Sequence, residues 1–487
     1  MKKTRKIIAL TITLLAMLSP LFSFCQVSGI HFERGASLEQ VKAKVRTENK
    51  FILIDCFATW CGPCKQMDQT IFKQQDVGDF INSHFICLKM QMDRTKNDTQ
   101  GVKDNYSIAD SLARLFKINA YPTYLFLSPD GQAVHKVIGS TATGEDFISE
   151  AKDALNPLKQ VYTLLNTWKD HLADSVFLFN ALTASSELLS SESPIITDAY
   201  LHCIKEPLTK QNINLFEGLL NSSNDQIFWL YLHNCPKIDS IISWPSAYAE
   251  RRLCKVIFNE NIEPFFSQKD IQLNWNNMIN SLTRKYPELG GHLPEIIRTD
   301  LKYRIKDEII ADANKYQISP RWKSIHGSVA EKVPGFDFEQ SFLQAKLDYY
   351  DRKGLITEDR AATAFEMITR YRSSMRDNAV NDLIWNNIFN VTGNKKTLTG
   401  ALQWMSVIVK APDYSNYDTY ANLLYKTGHL QEAIIWENKS LKLASQQPGF
   451  HQEADIENTR QTIEKMNKHE KTWDDDSPVP NFKEVNR

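Results

Sequence analysis

The chain has 487 residues, 42% hydrophobic and 24% charged, a globular composition with no low-complexity or collagen-like bias. Fifty-seven basic against 58 acidic side chains leave a net charge of −1, so no basic excess exists to neutralise phosphates, and nucleic acid is excluded as a default partner. Eight cysteines in this length are too few for a disulfide-stapled mini-fold, so cysteine chemistry has to be read from position.

Residues 1–25 carry Lys2, Lys3, Arg5 and Lys6 with no acid, then a mostly apolar run from Ile7 to Leu18, then Ser19-Pro20. This is the pattern of an export signal, with Ser23 and Cys25 as the small residues before a cut ahead of Gln26. A lipid on Cys25 is the alternative, disfavoured by bulky Phe24. A periplasmic or cell-envelope protein is the expectation. No second run approaches the roughly 20 apolar residues that span a bilayer.

Ser37-Leu38-Glu39-Gln40 reads as a capping box opening a helix to about Glu48. Phe51 to Phe57 (FILIDCF) is a buried central strand, interrupted only by Asp55. Helices are predicted from Cys64 to about Phe72 and from Asp76 to Ser83, with a second strand from Phe85 to Met92. Arg94 to Tyr106 reads as a polar inserted loop. A helix over Ser107–Phe116, a strand over Thr123–Leu127, a turn at Pro129-Asp130-Gly131, a strand over Ala133–Ile138 and a helix over Glu145–Leu155 follow. The result is a small mixed sheet covered on both faces, an α/β fold.

After Pro157 strand signals fade and a larger all-α region begins. The predicted layout is a signal over 1–25, an α/β domain over 26–157, helices over 158–390, helical hairpins over 391–471 and a disordered tail over 472–487. In the hairpin part Leu398, Ala401 and Trp404 recur 32 positions on as Leu430, Ala433 and Trp436. With Tyr417, Tyr420, Leu424 and Gly428 between them, this resembles a tetratricopeptide helix pair, whose faces are buried by stacking on neighbours.

Trp60-Cys61-Gly62-Pro63-Cys64 follows the central strand and opens a helix. Two thiols three apart at a helix start can close a small disulfide, and the helix amides stabilise a thiolate on the outer one. Cys61, expected nearest solvent, is the candidate nucleophile; Cys64, one turn inward, is the candidate resolving thiol. Half of a zinc site is the structural alternative, but no second CxxC, CxH or HxxxH pair supplies the other two ligands. Lys65 stands where haem attachment needs a histidine. No metal and no cofactor beyond the cysteine pair is expected.

On the WCGPC motif, residues from about 30 to 155 resemble the thioredoxin family. The resemblance implies a thioredoxin fold and further roles: Asp55 as the buried carboxylate that exchanges a proton with the inner cysteine, and Lys89 as the lysine beside it. Tyr121-Pro122-Thr123 becomes a cis-proline loop facing the disulfide, and Gly139 the glycine that keeps the substrate groove open. Trp60, Gly62 and Pro63 complete the motif. Gln69-Thr70-Ile71-Phe72 and the polar loop depart from small thioredoxins and are more similar to the module of DsbD-type periplasmic thiol reductases. Tyr121 departs too, standing where a smaller aliphatic residue is usual. The implied function is an exported thiol–disulfide oxidoreductase that reduces substrate-protein disulfides, recharged by a DsbD-type membrane electron donor and aided by a protein partner of the helical region. The rival is a helical scaffold using the thioredoxin-like unit for docking. Cys56 and Cys87 read as core thiols. Cys203, Cys235 and Cys254 admit one oxidised pair.

Overall fold

The computed structural model describes residues 29–33, 36–188, 190–243, 247–268, 271–316, 319–446 and 452–473. The expected signal at 1–25 lies outside them, as does all of the expected tail after Trp473. Two compact units divide the chain, one formed by the residues up to Leu219 with Asp225–Ile227, the other by Leu220–Asn224 and the residues from Phe228 on.

The first unit is built on a five-stranded mixed sheet. In chain order it runs β1 (Phe32–Glu33), α1 (Leu38–Glu48), β2 (Phe51–Phe57), α2 (Gly62–Gln69), α3 (Gln75–His84), β3 (Phe85–Gln91), α4 (Gln100–Asp104), α5 (Tyr106–Leu115), β4 (Thr123–Leu127), β5 (Ala133–Ile138) and α6 (Gly144–Leu155). The strand order is β1-β3-β2-β4-β5, with β2 parallel to β3 and antiparallel to β4. This is the thioredoxin arrangement implied by the motif.

The central strand explains both faces. Ile52, Ile54 and Cys56 point to a core shared with Leu38, Val41 and Val45 of α1 and Leu112 of α5. Leu53, one residue out of step, joins Met67 of α2, Val77 and Ile81 of α3 and Phe147 and Ala151 of α6. A period of two between two helical layers produces this split, and Asp55 falls on the face of α2, α3 and α6. Ser37 caps α1 as the sequence predicts, its hydroxyl accepting from the Gln40 amide while the Gln40 side chain accepts from the Ser37 amide.

Two local expectations need correction, and the sheet has one strand more than the sequence predicts. The motif helix begins at Gly62, with Cys61 as its N-cap, and ends at Gln69; Ile71–Lys73 is a separate 3₁₀ turn. The polar stretch 94–106 holds a helical turn, Gln100–Asp104, and Tyr106 already starts α5. The edge strand β1 has two residues, too short to leave a periodic signal, and pairs with β3 at Phe32↔Cys87. A close approach fixes the chain leading into it: a Cβ on Gly78 of α3 would lie 2.4 Å from the Gly29 carbonyl oxygen, so only glycine fits.

The first unit continues past the sheet into helices. The ring of His135 on β5, 5% exposed, accepts at Nδ1 from the Val161 amide (3.2 Å), which opens α7 (Val161–Thr167). Burial holds the His135 imidazole neutral, its pKa lowered to about 4. Tyr162 packs on Phe116 at 5.5 Å between ring centres. The compact unit that carries the sheet therefore extends well beyond residue 157.

Among the described residues, every secondary-structure element of the second unit is a helix. The 32-residue spacing falls on the helices Lys395–Ile408 and Leu430–Ala444, with Leu398, Ala401 and Ala433 wholly buried. Between them Tyr414–Lys426 pairs with Leu430–Ala444 across a turn where Gly428 has φ +93°. Trp436 lies edge-on to Tyr417 and Tyr420, 5.1 and 5.2 Å away. Among the described residues no helix is long and apolar enough to cross a membrane.

Candidate active site: a helix-capping disulfide

Cys61 and Cys64 are joined by a disulfide, with their Cα atoms 5.4 Å apart. The backbone folds this way because Cys61 is extended (φ −71°, ψ 111°) and caps α2, while Pro63 occupies the first turn, where a missing amide costs nothing. The Cys64 amide donates to the Cys61 sulfur at 3.1 Å. In the reduced protein this donor and the helix N-terminus would favour a Cys61 thiolate.

The exposure differs from expectation. Cys61 is only 2% exposed and Cys64 5%, so the nucleophile is not the more open of the two. Ala58, Phe57 and Tyr121 pack around the pair and cover Cys61. The exposed part of the motif is its rim: Gly62, Pro63 and above all Trp60, 70% exposed and edge-on to Tyr121 at 5.9 Å.

The Tyr121–Pro122 peptide is cis. The Pro122 carbonyl accepts from the Gly139 amide at 2.8 Å, tying the proline loop to the end of β5, and Thr123 is buried opposite Cys56. Gly139 has φ +102°, and a Cβ there would meet no atom within 4 Å. Its glycine is required by backbone conformation rather than by crowding.

Sheet register brings Asp55 and Lys89 side by side on β2 and β3. The Lys89 ammonium lies 3.2 Å from Asp55 Oδ2 and also bonds Asp68 of α2. It sits over the rings of Phe32 and Phe57 at 5.0 and 5.1 Å. Asp55 is 2% exposed, and burial raises its pKa from 3.8 to about 6 against the opposing pull of Lys89. Its Oδ1 has no hydrogen-bond partner among the described residues and is open to a proton. Asp68 belongs to no motif in the sequence; its position four residues after Cys64, one helical turn on, is the textual sign of it. Its charge adds to the raised proton affinity of Asp55. Asp68→Asn is therefore expected to move the acid limb of a pH–rate profile for disulfide exchange to lower pH, leaving the plateau near wild type. An acid limb displaced upward, or unmoved, would contradict the shared-lysine geometry.

Cys56 and Cys87 are buried free thiols whose pKa burial pushes far up, as core thiols should be. Cys203, Cys235 and Cys254 are also free, so the pairing that the sequence admits is not made; burial raises Cys235 and Cys254 to about 12. Among the described residues no group of three or more His, Cys, Asp or Glu side chains is placed to hold a metal.

Fold and site together define a thioredoxin-fold thiol–disulfide centre. The thioredoxin-like domain family matches residues 38–155. The chain is 35% identical over 92 residues to thioredoxin-2 of Pyricularia oryzae, covering 19% of this chain and 43% of that one. It is 30% identical over 99 residues to a thioredoxin of Aspergillus fumigatus, covering 20% of this chain and 74% of that one. To the thiol:disulfide interchange protein DsbD of Actinobacillus pleuropneumoniae it is 30% identical over 138 residues, 28% of this chain and 21% of that one. The chain thus spans less than half the length of the first and the last of these relatives. It belongs to the thioredoxin-like family through this domain, with thioredoxin and DsbD-type relatives, and carries a large helical region besides.

Proposed function

We propose that the protein is an exported reductase of protein disulfides that works through the Cys61–Cys64 pair. The carrying observation is the disulfide itself, set on a helix N-terminus with the Cys64 amide on the Cys61 sulfur. In the reduced protein the Cys61 thiolate attacks one sulfur of a substrate disulfide, and the other substrate sulfur leaves as a thiolate. Cys64 then gives its proton to Asp55 and attacks the Cys61 sulfur. The Cys61–substrate bond breaks, the second substrate thiolate departs, and the Cys61–Cys64 disulfide is restored. Two electrons pass to the substrate in each cycle, so a donor must return them; the DsbD likeness supports a membrane donor of that type and a site of action in the cell envelope. Lys89 holds Asp55, while Trp60, Gly62, Pro63, Tyr121, Pro122, Thr123 and Gly139 line the motif and groove.

The direction rests on the Gly62–Pro63 dipeptide shared with thioredoxin. A thioredoxin-like potential lies about 150 mV below that of a strong oxidant such as DsbA, on the order of 7 kcal/mol toward electron donation. The helices beyond residue 158, including the hairpins of 391–471, would recruit partner proteins. The docking-scaffold reading keeps one observation in its favour, the near-complete burial of both cysteines.

One experiment separates the two. Cys64→Ala leaves Cys61 able to attack but unable to be released, so mixed disulfides through Cys61 should accumulate in cells and disappear on reduction. The wild-type protein should reduce insulin disulfides, with a midpoint near that of thioredoxin. No trapped species together with no insulin reduction would favour the scaffold, and a midpoint near that of DsbA would reverse the direction.

A further inference from the structure

We propose that Asp93 is a positioning residue that clamps the turn leading into the motif and so holds Trp60 for the incoming substrate; this rests on the reductase reading above. The clamp has two points. The Thr59 amide donates to Asp93 Oδ1 at 3.0 Å, and the Thr59 hydroxyl donates to Asp93 Oδ2. Both carboxylate oxygens are thus committed to one residue, which immediately precedes Trp60. The same turn is closed on its inner side by the Cys61 amide donating to the Ala58 carbonyl at 3.1 Å.

Asp93 is itself held rigidly, by the stretch that the sequence presents as an inserted loop. The β2–β3 ladder extends one step beyond the strand, the Met92 amide donating to the Phe57 carbonyl at 2.8 Å. Gln91 Nε2 donates to the Asp93 carbonyl at 3.1 Å and to Asp98 Oδ1 at 3.0 Å. Asp98 gathers the rest, accepting from the Thr95 amide at 2.8 Å, the Thr95 hydroxyl and the Tyr106 hydroxyl. Those bonds hold the Asp98 carboxyl far below the usual carboxylate range. Arg94, stacked 4.9 Å from the Tyr106 ring, bonds Asp110 of α5 at 2.6 Å. The insertion is therefore a knot tied to β3 at one end and α5 at the other, and what it presents to the site is the Asp93 carboxylate.

The consequence is a division of labour. Cys61 is fixed by α2, whose N-cap it is, so the chemical step does not depend on the clamp. Trp60 is 70% exposed and contacts the Tyr121 ring only edge-on. Its place beside the groove depends on the turn beneath it, and that turn is what Asp93 holds. Losing the clamp should weaken substrate binding by loss of preorganisation and spare turnover.

In the full-length protein, Asp93→Ala is expected to raise KM for a protein disulfide about tenfold, the value of one charge-assisted hydrogen bond, at nearly unchanged kcat. Asp93→Asn should recover most of the loss, because its side-chain oxygen still accepts from the Thr59 amide while its nitrogen donates to the hydroxyl. Thr59→Ala, which deletes only the hydroxyl, should fall between, and adding it to Asp93→Ala should cost little more. A merely structural residue would behave differently, lowering kcat with the folded fraction and leaving KM alone. That result overturns the proposal, as does an Asn variant as impaired as the Ala variant. Hydrogen exchange at the Thr59 amide provides a readout without turnover: faster exchange in Asp93→Ala than in wild type and Asp93→Asn is the expected result, and equal protection in all three overturns the clamp. A wild type inert toward disulfides but showing this exchange pattern would sink the reductase reading and leave the clamp standing.

Discussion

Asp55→Asn should slow resolution of the Cys61 mixed disulfide about 100-fold at pH 7, within the range a positioned general base contributes, and at the same time make the first unit more stable. The two effects have one origin. Burial lifts the Asp55 pKa from 3.8 to about 6, so at pH 7 the group is mostly ionised, a base poised close to the working pH. Its Oδ2 faces Lys89 and its Oδ1 has no hydrogen-bond partner among the described residues, so on the proposed mechanism Oδ1 is the atom that takes the Cys64 proton. Asparagine fills the same volume but takes no proton. The rate of the wild type should fall as pH drops through about 6, and the variant should show no such limb.

The stability effect runs the other way. A carboxyl whose folded pKa is raised contributes stability fully below its unfolded value and loses it as pH rises through the folded value. For a shift from 3.8 to about 6, the amount lost by pH 7 is about 3 kcal/mol. Asp55→Asn should thus raise the unfolding midpoint of the first unit at pH 7, and give no gain near pH 3. Stopped-flow quenching of the mixed disulfide and denaturant unfolding at the two pH values measure both. A variant that is slow and less stable at pH 7 would mean that Asp55 serves packing, and the proton-acceptor role would be lost.

Much of this was legible in the text of the chain because it depends on spacing. The strand FILIDCF, the capping box at Ser37–Gln40 and the first motif cysteine six residues after Asp55 are local patterns, and each forms nearly where its letters place it. What escaped has a common physical cause, since it is made by atoms far apart in sequence. The Asp93 clamp joins positions 34 residues apart and the Lys89–Asp68 bond 21, and neither residue pair has a periodicity to betray it. The cover on Cys61 likewise comes from Tyr121, whose ring approaches only after β4 has paired with β2. Segment 94–106 carries no periodic signal because its polar letters find their partners around Asp98 and on the adjoining β3 and α5, instead of in a hydrophobic core.

In the second unit the largest expected change comes from Glu437→Gln, which should stabilise the protein by about 3 kcal/mol at pH 7. Glu437, on the helix Leu430–Ala444, is wholly buried, and neither of its carboxyl oxygens meets a donor among the described residues. What it faces is another acid, Asp418 of Tyr414–Lys426, which also accepts from Asn422 Nδ2 at 3.2 Å. Asp455, from Gln452–Asn467, adds a third carboxylate nearby and takes a bond from the Tyr414 hydroxyl at 2.8 Å. Burial first, then repulsion from Asp418, raises the Glu437 pKa well above neutrality, so the folded protein keeps a proton there that Glu437 donates to Asp418. The unfolded chain, at an ordinary 4.5, does not. Folding at pH 7 must therefore take up a proton, and stability from this group, complete below about pH 4.5, declines by about 1.4 kcal/mol per unit as pH rises until the folded pKa is reached. Glutamine supplies the donor without the proton. Its advantage should vanish at pH 4.5, reach about 3 kcal/mol at pH 7 and be larger still at pH 9. Thermal unfolding of wild type and variant across that range tests this. A glutamine variant with no greater stability at pH 9 than at pH 5 would show that the Glu437 carboxyl is ionised in the folded hairpin, paired with a cation from the solvent instead of with Asp418.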